Sequence, residues 1–211
     1  ARDGACSGDV LRKQVPEMTQ MVLSALEAHQ ASDAPAGMRQ WLCRAYAEAF
    51  PAVERITPEL LFKRDLRVNC LLWCHAGQPL GFTYYLRAHE IAYLWYLAVD
   101  AAYRGRGLGA AILGKWAAHQ TGTALLLHAE SPQEQGADNL VQRQRRLRFY
   151  ERAGWQRSGQ LSVWRGISFE LLYCRRLPPA PEMERFWAAV ADLEEERQAE
   201  QDACCTGAKT S

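Results

Sequence analysis

Between Val68 and Val99 lie three short runs rich in β-branched, aromatic and leucine residues, broken by turn residues such as Ala76-Gly77-Gln78-Pro79. Val68 to Cys74, Leu80 to Arg87 and Ile91 to Val99 therefore read as three consecutive antiparallel strands. A glycine-rich turn and a helical segment from Gly107 to His119 follow. Then come a buried strand (Ala124 to Glu130), a polar loop (Ser131 to Asn139) and a helix (Leu140 to Ala153). Two more strands are expected near Gln156 to Trp164 and Ser168 to Cys174. Upstream, Met18, Met21, Val22, Ala25 and Leu26 recur at helical spacing and predict a helix from Val15 to His29. A second helix is expected from Met38 to Phe50. A third begins near Thr57, where Thr57-Pro58-Glu59 offers an N-cap followed by proline at the first helical position. Strands interleaved with helices in this order predict a mixed α/β sheet.

The chain's 211 residues favour one domain with terminal additions over two independent domains. The polar, Pro- and Gly-containing break from Ala31 to Gly37 and the stop at Pro178-Pro179-Ala180-Pro181 divide it into three parts. These are an N-terminal helix and linker over 1–37, a central domain over 38–177, and a C-terminal helix and mobile tail over 178–211. The last helix, Glu184 to Gln201, carries Phe186, Trp187, Val190 and Leu193 on one side. That face could pack on its own domain or on a second copy, which leaves a homodimer open.

Lys and Arg total 25 against 24 Asp and Glu, so no global field draws the chain to nucleic acid or anionic lipid. Seven cysteines, an odd number without paired short spacings, argue against a disulfide framework and for a reducing cytoplasm. Cys70-Leu71-Leu72-Trp73-Cys74-His75 lacks a second ligand pair downstream, so no metal is expected there. Alternation instead puts Cys70, Leu72 and Cys74 on one strand face. With no signal region and no apolar run of membrane-spanning length, a soluble cytoplasmic protein is expected, without a membrane partner.

The strongest chemical signal is the stretch from Tyr96 to Ala110, a strand running through Tyr103-Arg104-Gly105-Arg106-Gly107-Leu108-Gly109 into a helix. Gly105, Gly107 and Gly109 let backbone N–H groups approach an anion, and the helix start adds its positive dipole end. Arg104 and Arg106 can pair with phosphate oxygens or remain solvated turn residues. The segment has no Gly-Lys-Ser/Thr ending for a nucleoside triphosphate. It also lacks a first-strand dinucleotide fingerprint.

Leu97-Ala98-Val99-Asp100 followed by Arg104 to Gly109 resembles the acetyl-CoA motif of the GNAT N-acetyltransferase superfamily. Arg148-Phe149-Tyr150-Glu151-Arg152-Ala153-Gly154-Trp155 is similar to that family's Phe-Tyr-x-x-x-Gly-Phe helix end, with Trp155 in place of the usual Phe. The resemblance spans about Met38 to Arg176. It implies a central mixed, largely antiparallel sheet of six to seven strands flanked by helices, here with extra N- and C-terminal helices. It also implies an enzyme that moves an acetyl group from acetyl-CoA directly to a primary amine of a small molecule or peptide.

By the same resemblance, backbone groups of Leu97, Ala98 and Val99 would meet the pantetheine arm and polarise the acetyl carbonyl. The pyrophosphate would lie on Arg104, Gly105, Arg106, Gly107, Leu108, Gly109 and Ala110, and Asn139 would also contact CoA. Tyr150 matches the tyrosine that protonates the departing thiolate, a role suited to a phenol with a reference pKa of about 10. Where many relatives carry a base on the fifth strand, this chain has His128 and Glu130 on one face, and either could serve, directly or through water. Glu48, Glu54 and Glu134 could attract a cationic amine.

Two other classes compete with the enzyme. The altered base position and the terminal additions would suit a catalytically silent CoA-binding module. The run Arg143-Gln144-Arg145-Arg146-Leu147-Arg148 would suit a nucleic-acid binder, but its arginines spread around the helix and no aromatic stacking platform accompanies them. A solvated helix face or contacts to CoA phosphates explain that charge more simply.

Overall fold

The computed structural model describes residues 22, 24–133 and 139–207. Two compact units divide the chain, Ala1–Leu177 and Pro178–Ser211. In the first, seven strands make one sheet, from β1 (Glu27–Gln30) at one edge through β2 (Val68–His75), β3 (Gln78–Ala88), β4 (Ile91–Val99) and β5 (Ala124–Glu130). β7 (Ile167–Cys174) comes next and β6 (Gln156–Trp164) closes the other edge. Neighbours are antiparallel except β4 and β5, which run parallel. The strand pattern predicted a mixed sheet, and the family resemblance implied the largely antiparallel sheet of six to seven strands seen here.

Helix α1 (Ala36–Ala49) covers one face, burying Leu42 and Tyr46. The Tyr46 ring meets Phe82 edge-on at 6.1 Å and Tyr96 at 5.2 Å. Helices α2 (Leu108–His119) and α3 (Leu140–Arg152) belong to the opposite layer. Leu108, Ile112, Leu113 and Trp116 of α2 and Leu147 of α3 join Trp73, Leu94, Leu125, Leu127 and Leu172 in one buried cluster. Their spacing along α2 is the i, i+4, i+5, i+8 stripe of a helix with one apolar face. The second unit contains α4 (Ala180–Gly207), longer at both ends than the predicted Glu184 to Gln201.

Three expectations change. The helix predicted from Val15 to His29 is helical at Val22 and Ser24, but Glu27–Gln30 is a strand paired with Leu71–Cys74. Its apolar stripe ends at Leu26, and four exposed residues beyond it satisfy the open backbone edge of β2. Residues 1–21 lie outside the described residues, as do 134–138 of the predicted loop and the last four residues, 208–211. The third helix is only a 3₁₀ turn, Pro58–Leu61, with Thr57 at its N-cap but no side-chain cap bond. After the buried Leu61 the polar run Lys63-Arg64-Asp65 offers no further apolar stripe to hold a longer helix. Cysteine pairing also differs: Cys43, Cys70 and Cys74 are free thiols, whereas Cys174 is disulfide-bonded, so an odd count did not exclude a bridge.

Candidate functional site

β4 and β5 part company halfway along. Their parallel pairing runs from Ile91 opposite Ala124 to Leu94 opposite Leu127 and stops. β4 then carries a bulge: Tyr84 faces Tyr96 and Tyr85 faces Leu94, which leaves Trp95 as the extra residue. Beyond it β4 stays on β3 as far as Val99, and β5 stays on β7 as far as Glu130. A wedge therefore opens between Trp95–Val99 and His128–Glu130, flanked by two strand edges that do not pair with each other. Such edges suit an extended ligand bearing amide groups, as strand addition does. On the far side of β4, Gly81 permits the approach of β3. A Cβ there would stand 2.7 Å from the Ala98 carbonyl oxygen and 2.6 Å from Ile112 Cδ1.

The strand end leads into the glycine-rich turn. Asp100 caps the short 3₁₀ turn Ala101–Tyr103 by accepting from the Ala102 N–H at 2.9 Å, and it accepts from the Trp41 indole at 2.9 Å, tying the turn to α1. Gly105 (φ 79°) and Gly107 (φ 80°) take left-handed backbone, and Gly107 is the N-cap of α2. The first N–H groups of a helix have no partner within it, so they face outward as an anion site next to the wedge. Arg104 is held back toward the protein, donating to the Val99 carbonyl at 3.0 Å and to Glu48 at 3.4 Å. Arg106 lies over the Tyr103 ring, 5.8 Å from its centroid. Leu108 is buried, and a Cβ added at Gly109 would stand 3.5 Å from the Phe149 ring of α3, which leaves the backbone of Gly107 to Ala110 as the part of the turn that can meet a ligand.

A cavity of about 370 Å³ lies beside the end of β5, lined among others by Glu48, Glu54, Arg55, Glu130, Asn139 and Arg146. Glu130 is buried and already paired. It accepts from Arg146 at 2.6 Å and from the Asn139 amide at 3.3 Å, and the Arg143 guanidinium stands 3.8 Å away. Arg143, only 5% exposed, also donates to the Asn139 side-chain oxygen and to the Ser131 carbonyl. The arginine run is thus not a solvated face throughout: two of its members close a buried ion-pair network on β5. No short-range signal could have found a partnership sixteen residues apart in sequence.

His128 is not part of that cavity lining. Its Nδ1 lies 3.0 Å from the Tyr93 hydroxyl, its ring meets Tyr93 and Phe169 edge-on, and burial lowers its pKa to about 4. Tyr150 is half-buried, its ring against Phe149 and Trp155, and burial pushes its hydroxyl pKa up. That hydroxyl makes no hydrogen bond among the described residues. Burial also raises the Glu54 carboxyl, and the nearby Glu130 raises it further. Among the described residues no group of three or more potential ligands is placed to hold a metal ion, and no helix is long and apolar enough to cross a membrane. Glu134 lies outside them.

Residues 67–157 match the family model of the acetyltransferase (GNAT) domain. Among solved structures, a Bacteroides thetaiotaomicron protein described as from the GNAT family is similar over 76% of this chain and 92% of its own. Its identity is 20% and its TM-score 0.62. The ribosomal-protein-S18-alanine N-acetyltransferase of Escherichia coli aligns over 74% of this chain and 97% of its own, at 15% identity and TM-score 0.51. A Bacillus subtilis acetyltransferase, determined in complex with CoA, aligns over 72% and 99%, at 13% identity and TM-score 0.50. At these identities the likeness shows a shared fold. Among curated proteins none matches the chain by sequence.

Proposed function

We propose that the chain, which matches the acetyltransferase (GNAT) domain model over residues 67–157, is an acyltransferase that transfers the acetyl group of acetyl-CoA directly to a primary amine of a small molecule or peptide. The observation that carries this reading is the wedge between β4 and β5, which opens beside the N-terminus of α2. The cofactor's shape asks for both: an extended amide-bearing arm followed by a pyrophosphate. Left-handed Gly105 and Gly107 and the helix N-terminus fit the pyrophosphate, with Arg104, Arg106, Leu108, Gly109 and Ala110 around it. The backbone of Leu97, Ala98 and Val99 fits the arm, and an N–H there would polarise the thioester carbonyl as negative charge develops on its oxygen. Acetyl-CoA supplies the activated acyl carbon, and no covalent adduct with the protein is required.

Tyr150 is the proton donor to the leaving thiolate in this reading, supported by its place on α3 and by a hydroxyl that stays protonated. Of the two base candidates on β5, His128 is neutral but weakly basic, and the Glu130 oxygens are committed to Arg146 and Asn139. These contacts favour an orienting role for both. Asn139, engaged by Glu130 and Arg143, supports the wall of the cavity beside any part it takes in holding CoA.

Gly107→Glu tests the binding half. It places a bulky anion where the pyrophosphate should meet backbone N–H groups, and its Cβ strains a left-handed φ. The variant should remain folded by circular dichroism and give no calorimetric heat with acetyl-CoA, whereas the parent binds. A folded variant that binds like the parent refutes the phosphate-loop assignment. The chemical half is read by amine-dependent thiol release over polyamines, aminoglycosides, amino acids and peptides with free amino termini. Tight acetyl-CoA binding without amine-dependent release would instead identify a CoA-binding module.

A further inference from the structure

We infer that Glu54 is the carboxylate that receives the acceptor's ammonium group and takes its proton before acyl transfer. The inference rests on the N-acetyltransferase reading above and names a residue that the fifth-strand candidates leave without a rival. Three contacts hold its loop in place. The Tyr96 hydroxyl of β4 donates to the Glu54 carbonyl at 2.7 Å, the Ile56 N–H donates to the Tyr46 hydroxyl of α1 at 2.7 Å, and Arg165, between β6 and β7, donates to the Val53 carbonyl. The loop is thus pinned from three elements, which is how a side chain is kept in a productive geometry.

Tyr96 is the residue just before Leu97, so the same side chain joins the Glu54 loop to the strand edge that faces the wedge. The Glu54 side chain itself lines the cavity and makes no hydrogen bond or ion pair among the described residues. The other cavity carboxylates are occupied, Glu130 by Arg146 and Asn139 and Glu48 by Arg104. Glu54 is therefore the acidic group left to meet an alkylammonium. Glu130 from β5, Arg143 and Arg146 from α3, Glu48 from α1 and the adjacent Arg55 are the charges around it. Burial and Glu130 raise the affinity of its carboxylate for a proton, and the two arginines of α3 oppose them. A carboxylate raised toward neutrality is a better base than an ordinary one.

The steps balance. R–NH3+ gives one proton to the Glu54 carboxylate and becomes R–NH2. The nitrogen lone pair forms the C–N bond to the acetyl carbon, the C–S bond breaks with its electron pair on sulfur, and the thiolate takes a proton. The amide nitrogen releases its extra proton, and Glu54 returns its own to water. The sum is R–NH3+ plus acetyl-CoA giving R–NH–CO–CH3, CoA–SH and H+.

The test compares the parent with Glu54→Gln and Glu54→Asp, using cadaverine and Ala-Ala-Ala-amide as acceptors. Glu54→Gln should bind acetyl-CoA as the parent does and lose about 100-fold in kcat/KM near pH 7. The deficit should shrink near pH 10, where free amine is abundant, and Glu54→Asp should recover part of the rate. Equal kcat/KM, or a deficit of the same size at both pH values, overturns the proposal. If the parent binds acetyl-CoA but acetylates neither amine, the proposed reaction fails for these acceptors. Glu54 is then judged by calorimetry of cadaverine on the CoA-loaded protein. Binding lost in Glu54→Gln upholds an ammonium site, and binding that is absent from the parent or unchanged in the variant overturns it.

Discussion

In the proposed reaction Tyr150 would do two jobs, one with its ring and one with its oxygen. The ring packs on Phe149 and Trp155, and the hydroxyl, raised in pKa by burial, remains a proton donor at any physiological pH. Tyr150→Phe keeps the first and deletes the second. With an accepted amine, the variant should bind acetyl-CoA about as the parent does and turn over roughly ten- to a thousand-fold more slowly, as single-turnover kinetics would show. Parental turnover would assign the tyrosine to packing alone. At this scale the sequence was readable where the backbone conformation depends on glycine: the turn it marked by Gly105 and Gly107 is one in which both take left-handed conformations. It was opaque where function depends on who pairs with whom. Glu130 looked like an available base because its partners Arg146 and Asn139 come from another element. Glu54 stood beside Glu48 and Glu134 as one of three carboxylates that could attract a cationic amine, and nothing in the sequence separated it from them because the cavity around it exists only after folding.

Among the elements, β3 and β4 are set unusually close at Gly81, where even a methyl group would run into the Ala98 carbonyl and Ile112. A side chain could be relieved by rotating Ile112, but the carbonyl belongs to the strand that borders the wedge and cannot move without moving it. Gly81→Ala should therefore cost about 1–3 kcal/mol of stability by overpacking, measured by denaturant unfolding. It should also weaken acetyl-CoA binding although residue 81 touches no ligand. Unchanged stability and affinity would mean that the β3–β4 contact relaxes freely. The strand boundaries were legible because β2, β3 and β4 are rich in β-branched and aromatic residues with turn residues between them. β1 was not, since Glu27-Ala28-His29-Gln30 has no strand-like pattern and is recruited by the open edge of β2. The 3₁₀ turn at Pro58–Leu61 carried an honest helix-start signal that nothing downstream sustained.

For the molecule as a whole, His128 couples folding to acidity. Its pKa falls from the usual 6.5 to about 4 because burial penalises the imidazolium. The unfolded chain then binds the proton more readily, so the contribution is intact above about pH 6.5 and is lost as pH falls toward 4. The loss amounts to at most about 3 kcal/mol. The raised carboxyl of Glu54 works in the opposite direction, so the comparison that isolates His128 is between parent and His128→Gln. Between about pH 7.5 and 5 the parent's melting temperature should drop more than the variant's, by calorimetry. Parallel drops would show that the imidazole charges freely in the native state.

The parting of β4 and β5 also bears on how cooperative the fold is. Among the described residues, the register from Ile91 to Leu94 and the adjoining bond from the Ala124 N–H to the Glu90 carbonyl join the β1–β4 half of the sheet to the β5–β7 half. The sheet is in effect a hinge closed at one end, and the helices beneath it must supply the rigidity that missing hydrogen bonds do not. A ligand arm lying in the gap would act as a rung restored to a ladder. It would fasten the two halves where the chain itself leaves them unfastened, and occupancy of the wedge would then set the stiffness of the whole sheet.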